Sequence, residues 1–136
     1  MLQVPANVFD RTFLEKNFLT DIKKRKIRLH VRSIFLQGAL LADMKFIKNK
    51  FKKWKKIFHK WDLFCNKNNY SKINVATNFV LKHKSVDKII VGFYNQNELL
   101  EFLKIKKTHL KIPNFIDKNK KSVEKLTKPY NWSSIK

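Results

Sequence analysis

At 136 residues, the chain is long enough for one ordinary domain with a core and too short for two full ones. Its content of 43% hydrophobic and 13% aromatic residues excludes a disordered tail. The 31 basic and 10 acidic residues give a net charge of +21, which suggests a polyanion or an anionic membrane surface as partner.

The composition also offers a second explanation for this charge. Lysine supplies 27 of the 31 basic residues, and asparagine, isoleucine and phenylalanine are abundant as well. All four residue types have A/T-rich codons, so an A/T-rich genome would give the same balance without any partner. Arginine, which best makes paired contacts with phosphates and bases, is scarce, and this weakens the case for a nucleic acid.

Three features of the sequence bear on where the protein resides. Cys65 is the single cysteine, so no internal disulfide can form, as is typical of a reducing compartment. The first ten residues lack the basic and apolar regions of a signal peptide. No apolar run approaches the roughly 20 residues that span a bilayer. We therefore expect a cytoplasmic protein without a transmembrane segment.

The first third of the chain predicts a strand, a helix and a second strand. Residues 2–8 (LQVPANV) predict a short strand that ends in a turn. Residues 11–26 predict a helix with one apolar face, and Asp10 is placed to cap it. Residues 27–33 alternate apolar and polar side chains and predict the second strand, and residues 34–50 are expected to be irregular.

The rest of the chain predicts three helices and one more strand. Between residues 45 and 61, apolar residues recur at spacings of three and four, with eight lysines and no acid between residues 45 and 60. A helix from Ser71 to about His83 precedes residues 88–94 (KIIVGFY), whose apolar centre predicts a strand buried on both faces. A further helix reaches Leu103, and the lysine-rich tail is expected to dock loosely.

This alternation of strands and helices predicts an α/β fold with parallel strands joined by right-handed crossovers. Two glycines cannot supply a Rossmann fingerprint or a P-loop, and the four scattered histidines do not have the spacing of a zinc site. Polar residues follow each strand, at the edge where parallel α/β folds bind ligands. Gly92 and the helix start after it favour a phosphate, although an ordinary turn with a helix cap explains them equally well.

Three segments, in order, resemble the C-terminal part of the aldo-keto reductase superfamily: LQVPANVFDRTFL, HVRSIFLQGALL and DKIIVGFYNQNELLEFL. The resemblance covers about residues 1–103, and residues 129–132 (PYNW) resemble the end of that family. It implies strands six to eight of a TIM-type (β/α)8 barrel, an incomplete one, that binds NADP or NAD without a Rossmann motif. The expected organisation is a partial barrel over 1–103 and a basic C-terminal tail over 104–136.

The resemblance also implies a set of cofactor-binding residues. Gln3 matches a glutamine that bonds the nicotinamide carboxamide, and Arg32 replaces an aromatic residue that stacks on the nicotinamide. Glu98 stands where many members have an arginine for the 2′-phosphate of NADP, so NAD becomes plausible; Glu101 matches a glutamate that reads the adenine amino group. The remaining implied contacts belong to the pyrophosphate loop and the strand-eight turn: Ser33, Phe35, Gln37, Gly38, Gly92 and Phe93.

A complete barrel needs about 250 residues, and the family's catalytic Asp, Tyr, Lys and His belong to its first half. No residue here is therefore assigned a catalytic role. The resemblance implies a cofactor-binding fragment of an oxidoreductase, inactive alone, that binds a nicotinamide dinucleotide and pairs with a complementary N-terminal half. The alternative is a basic amphipathic helical module that binds nucleic acid or an anionic membrane, although no sequence-specific nucleic-acid binding is expected.

Overall fold

The structure is a computed structural model that describes residues 1–115 and 120–134. Three short parallel strands form one sheet in the order β1 (Leu2–Pro5), β2 (Leu29–Arg32) and β3 (Lys88–Ile90). Val31 of β2 lies opposite Val4 on one side and Ile89 on the other. The predicted α/β fold with parallel strands is confirmed, and it is compatible with part of a TIM-type barrel.

Six α-helices accompany the sheet: α1 (Lys16–Lys24), α2 (Met44–Lys50), α3 (Lys55–Lys67), α4 (Lys72–Leu81), α5 (Gln96–Leu103) and α6 (Lys120–Thr127). Short 3-10 helices span Thr12–Leu14, Lys52–Trp54 and Pro129–Ser134. Three of the α-helices begin at a side chain that accepts a backbone N–H of the first turn, which satisfies a donor that has no partner within the helix. These caps are Asp43 for α2, Ser71 for α4 and Asn95 for α5.

The two faces of the sheet differ sharply in their surroundings. Leu29 and Val31 are fully buried on the face that packs against the helices. Successive side chains point to opposite faces, so Gln3, His30 and Lys88, which lie side by side in the register, share the other face. Gln3 and Lys88 are exposed there, and Nε2 of the half-buried His30 has no hydrogen-bond partner in the described part of the chain.

Two expectations about local structure are wrong. The strand within residues 88–94 is not buried on both faces, since Lys88 and Ile90 are exposed and Ile89 is only half-buried. The reason is the face on which they lie: Lys88 and Ile90 are opposite His30 and Arg32 in the register, on the side of the sheet that no described helix covers. Residues 34–50 are not wholly irregular either, because Asp43 caps α2 and Ile47 anchors it in the core.

The amphipathic pattern between residues 45 and 61 is confirmed. The lysines of this segment are exposed. Its apolar positions are all buried: Ile47, Phe51, Trp54, Phe58 and Trp61. Their rings pack edge-on or tilted against other aromatic residues, with centroids 5.6 Å apart for both Phe51–Phe58 and Trp61–Phe115. This packing fixes α2 and α3 against the rest of the core.

The tail after residue 103 is not loosely docked where it is described. Five of its apolar side chains are buried in the same core cluster as the sheet: Leu110, Ile112, Phe115, Val123 and Leu126. The guanidinium of Arg11 also donates to the backbone oxygen of Pro113 at 2.7 Å. Residues 116–119 and 135–136 of the tail lie outside the described residues, and the division at residue 103 stays a prediction. No helix in the described ranges is long and apolar enough to cross a membrane.

Candidate functional site

A cavity of about 710 Å³ opens at the carboxyl ends of β2 and β3, the edge at which the sequence predicts a ligand. The loop after β2 forms one wall, and the turn from β3 into α5 forms the opposite one. Side chains of α2 and Trp132 complete the lining. The cavity therefore draws together parts of the chain that are about 100 residues apart in the sequence.

Seven of the ten predicted cofactor contacts line this cavity: Ser33, Phe35, Gln37, Gly38, Gly92, Phe93 and Glu98. Gln3, Arg32 and Glu101 are not part of the lining. Gln3 lies exposed in the middle of β1, and Glu101 lies exposed on α5. Arg32 is exposed as well, and its guanidinium donates to Ser33 Oγ at 3.2 Å. The cofactor roles of these three residues stay predictions.

The loop after β2 holds an uncommon backbone conformation. Ser33, Leu36 and Gln37 have φ values of 60°, 49° and 52°, in the left-handed region, and Gly38 follows at 80°. Left-handed backbone costs an L residue of order 1 kcal/mol, so three such positions within five residues need support from the surrounding fold. Clusters of this kind are typical of ligand clamps and active sites.

Two side chains anchor the neighbourhood of this loop. Asn7, which is 1% exposed, donates from Nδ2 to the backbone oxygen of Ser33 at 3.3 Å. Its Oδ1 accepts the N–H groups of Phe9 and Asp10, so one amide ties the turn after β1 to the end of β2. Trp61 of α3 donates from Nε1 to the oxygen of Leu40 at 2.8 Å. Sequence analysis placed Asn7 at the ligand edge, and the structure gives it a positioning role.

The cavity lining contains backbone N–H groups without a hydrogen-bond partner. Within the described residues, six such amides make no hydrogen bond, four in the loop after β2 and two in the turn after β3: Ile34, Phe35, Gln37, Gly38, Gly92 and Phe93. A backbone donor that lacks a protein partner is available to water or to a ligand oxygen. No atom lies within 4 Å of the position a Cβ would take at either glycine, so both backbones are open to close approach.

The start of α5 offers less to an anion than the sequence predicts. Asn95 Oδ1 accepts the N–H of Glu98 at 3.0 Å, and Glu98 Oε2 in turn accepts the N–H of Tyr94 at 2.9 Å. Two donors near the helix N-terminus are thus satisfied by the chain itself. The Glu98 carboxylate also offsets the positive end of the helix dipole, which lowers the attraction for a phosphate there.

Lys50 is a site residue that the sequence analysis missed. Among the residues that the structure describes, it is the only lysine or arginine in the lining, and its ammonium lies 5.8 Å from the centroid of the Phe46 ring. Lys50 lies in the segment 45–61, which the sequence predicts as an amphipathic helix, but that pattern does not indicate that the helix packs beside the loop after β2. Lys50 gives one wall a positive charge, while Glu98 gives the other a negative one.

Three phenylalanines form an apolar cluster at the β3 side of the cavity. Phe93 lies 5.1 Å from Phe102 and 6.3 Å from Phe35 between ring centroids, and Phe35 lies 6.5 Å from Phe102. Phe35 is buried, whereas Phe93 and Phe102 are half-buried. Planar rings such as adenine bind well against aromatic faces and edges of this kind.

No residue of this lining forms a recognisable acid–base or nucleophile arrangement. Tyr94 is 95% exposed, and within the described part of the chain no other tyrosine, and no histidine or cysteine, lines the cavity. Cys65 lies elsewhere in the core, and burial raises the pKa of its thiol to about 12, so it stays protonated.

Comparison with known proteins agrees with the order of the strands and their loops. The sequence matches the family model described as Aldo/keto reductase family over residues 1–121. No curated protein and no solved structure matches the chain in the corresponding comparisons. Because the family match spans most of the chain and includes all three strands and the cavity loops, the chain belongs to the aldo/keto reductase family.

Proposed function

We propose that the chain binds a nicotinamide dinucleotide in the cavity beyond β2 and β3. In this proposal it is the cofactor-binding C-terminal portion of an oxidoreductase that interconverts carbonyls and alcohols. The family generally uses NAD(P)H. The observation that carries the proposal is the strained loop after β2, whose unpaired amides line one cavity with those of the β3 turn.

The chemistry of a dinucleotide fits the lining group by group. Its diphosphate needs donors and positive charge, which the amides of Gln37 and Gly38 and the ammonium of Lys50 supply. The adenine fits the cluster of Phe35, Phe93 and Phe102. When bound, the cofactor supplies a hydride donor or acceptor, and the residues of this chain hold and orient it.

The position of Glu98 favours NAD(H) over NADP(H). Its carboxylate is held at the start of α5 by the N–H of Tyr94, where it lines the cavity. A 2′-phosphate at that wall would meet a like charge and a helix end already offset by an acid. We therefore expect the chain to prefer the dinucleotide without that phosphate.

Hydride transfer to a carbonyl requires a proton donor, and the described lining of this cavity does not contain one. The proton donor and its partners would come from a complementary N-terminal half, and the chain alone is expected to be inactive in hydride transfer. The free Cys65 and the absence of disulfides support the reducing cytoplasm as the proposed location.

Titration calorimetry of the folded chain with NADH and NADPH tests the proposal. We expect saturable binding, tighter for NADH, and a roughly tenfold loss of affinity in Lys50→Gln because a charged hydrogen bond is worth about 1.5–3 kcal/mol. Lys48→Gln is the matched control, since Lys48 lies on the same helix, is exposed and does not line the cavity.

Different results would contradict dinucleotide binding itself and the roles assigned to Lys50 and Glu98. No saturable heat with either dinucleotide, with or without an added N-terminal half, would remove the binding function altogether. Binding that is unchanged in Lys50→Gln would leave the function and exclude the assigned role of Lys50. Tighter binding of NADPH than of NADH would overturn the argument from Glu98.

A further inference from the structure

A second surface, distinct from the cavity, covers the outside of α2, the following 3-10 helix and the start of α3. Six lysines on this surface are all exposed and do not line the cavity: Lys45, Lys48, Lys52, Lys53, Lys55 and Lys56. We call them the lysine face. No acid occurs between Asp43 and Asp62, so the charge of this segment is uniformly positive.

The positive charge of the lysine face is not neutralised within the protein. None of its six ammonium groups has a carboxylate within ion-pair distance among the residues that the structure describes. The two acids at the ends of the segment are engaged elsewhere, since Asp43 caps α2 and Asp62 pairs with Lys72 at 2.7 Å. Six like charges on one stretch of surface repel one another, and an external polyanion would relieve that repulsion.

The packing of the same segment argues against a membrane as that polyanion. An amphipathic helix that binds a bilayer inserts its aromatic and aliphatic side chains into it. Here Phe51, Trp54 and Phe58 are at most 7% exposed and face the core, so they are not available for insertion. The lysine face offers charge alone, because the exposed ring of Phe46, the neighbour of Lys45 in the sequence, lines the cavity instead.

We propose that the lysine face binds the phosphodiester backbone of a single-stranded nucleic acid, without reading its sequence. Lysine ammonium groups bind phosphates as point charges and lack the planar geometry of arginine that reads bases in pairs. A positively charged surface that follows the backbone is how proteins hold a single strand without sequence preference. The proposal does not rest on dinucleotide binding, because none of the six lysines lines the cavity.

Fluorescence anisotropy with a labelled oligouridylate, at several salt concentrations and without dinucleotide, tests this proposal. The variant Lys48→Gln/Lys52→Gln/Lys55→Gln removes three charges from the lysine face. The control Lys104→Gln/Lys106→Gln/Lys107→Gln removes three exposed charges after α5, so both variants have the same net charge. Circular dichroism and thermal unfolding establish that both variants are folded.

We expect the lysine-face variant to lose at least tenfold in affinity and the control less than threefold. The slope of log affinity against log salt should become shallower by about 2 in the lysine-face variant, because each phosphate contact on a single strand contributes about 0.7. Equal losses in both variants would show that net charge alone drives binding and would overturn the proposal. Binding to phosphatidylserine vesicles without binding to the oligonucleotide would overturn it as well.

Discussion

At the scale of single residues, His83 shows how a positive environment controls an imidazole. It follows α4, and its ring packs edge-on against Phe79 with centroids 6.0 Å apart. Its Nε2 is buried and has no hydrogen-bond partner in the described part of the chain. Burial, and next the charges of Lys82 and Arg11, lower the pKa of His83 from 6.5 to about 4.

This pKa predicts how stability depends on pH. Between pH 6.5 and about 4 the unfolded chain binds a proton at His83 while the folded chain does not, so unfolding becomes easier as the pH falls through that window. Above pH 6.5 His83 is neutral in both states and makes no difference. Urea unfolding at several pH values, compared with His83→Asn, measures the effect. Parallel curves for the two proteins would contradict it.

The residues that line the cavity could be predicted from the sequence only where they belong to a loop that follows a recognisable strand. Ser33 and Gly92 were placed at the ligand edge because each ends a strand. Lys50 was not placed there, because its position in the cavity depends on how α2 is oriented. That orientation is set by the preceding loop, and no local sequence pattern indicates the left-handed backbone of this loop. The burial of His83 likewise depends on neighbours that come from other elements.

At the scale of elements, α3 is fixed to the loop after β2 by one buried hydrogen bond. Trp61 is 1% exposed, and its indole N–H is donated to the backbone oxygen of Leu40. Trp61→Phe removes that donor and leaves a buried carbonyl without it, so we expect a loss of about 1–3 kcal/mol in the free energy of unfolding. Because Leu40 ends the loop that lines the cavity, dinucleotide affinity should fall too.

Trp132→Phe is the matched control for this change. The Trp132 indole N–H is also donated to a backbone oxygen, that of Leu126, at 2.9 Å, but Trp132 is only half-buried. Water can replace part of the lost bond there, so the expected cost is smaller. Denaturant unfolding of both variants measures the two losses in the free energy of unfolding. A loss for Trp132→Phe that equals or exceeds the loss for Trp61→Phe would mean that the Trp61 hydrogen bond does not anchor α3.

The amphipathic pattern predicted the buried face of α2 and α3 correctly because five apolar residues at helical spacing between residues 45 and 61 leave one face to bury. The same reasoning failed for β3. A short apolar run indicates burial on both faces, but whether a face is covered depends on which elements pack against it. Ile90 is 42% exposed because it lies opposite Arg32, on the face of the described sheet that no helix covers, and nothing within the run indicates this.

At the scale of the whole molecule, the order of parallel strands could be predicted, and the place of the tail could not. Alternating strand and helix patterns leave few arrangements that are short and unknotted, which is why the sheet order agrees with the sequence. The tail has no periodic pattern before residue 120, only isolated apolar residues among lysines. Leu110, Ile112 and Phe115 nevertheless enter the core, and the ring of Phe115 packs against Phe9 and Trp61, which are distant from it in the sequence.

Two leucines test whether the tail is part of the folded unit. Leu126 of α6 is 0% exposed and belongs to the core cluster, whereas Leu103 at the end of α5 is 68% exposed. Leu126→Ala should cost about 2–5 kcal/mol in the free energy of unfolding because it leaves a cavity in the core. Leu103→Ala removes the same atoms from a mostly hydrated position and should change stability by less than about 0.5 kcal/mol. Urea unfolding at neutral pH measures both losses in the free energy of unfolding.

A loss for Leu126→Ala as small as that for Leu103→Ala would mean that the tail packs on the protein without stabilising it. A single cooperative transition, with a large difference between the two variants, would make residues beyond 103 part of one folding unit.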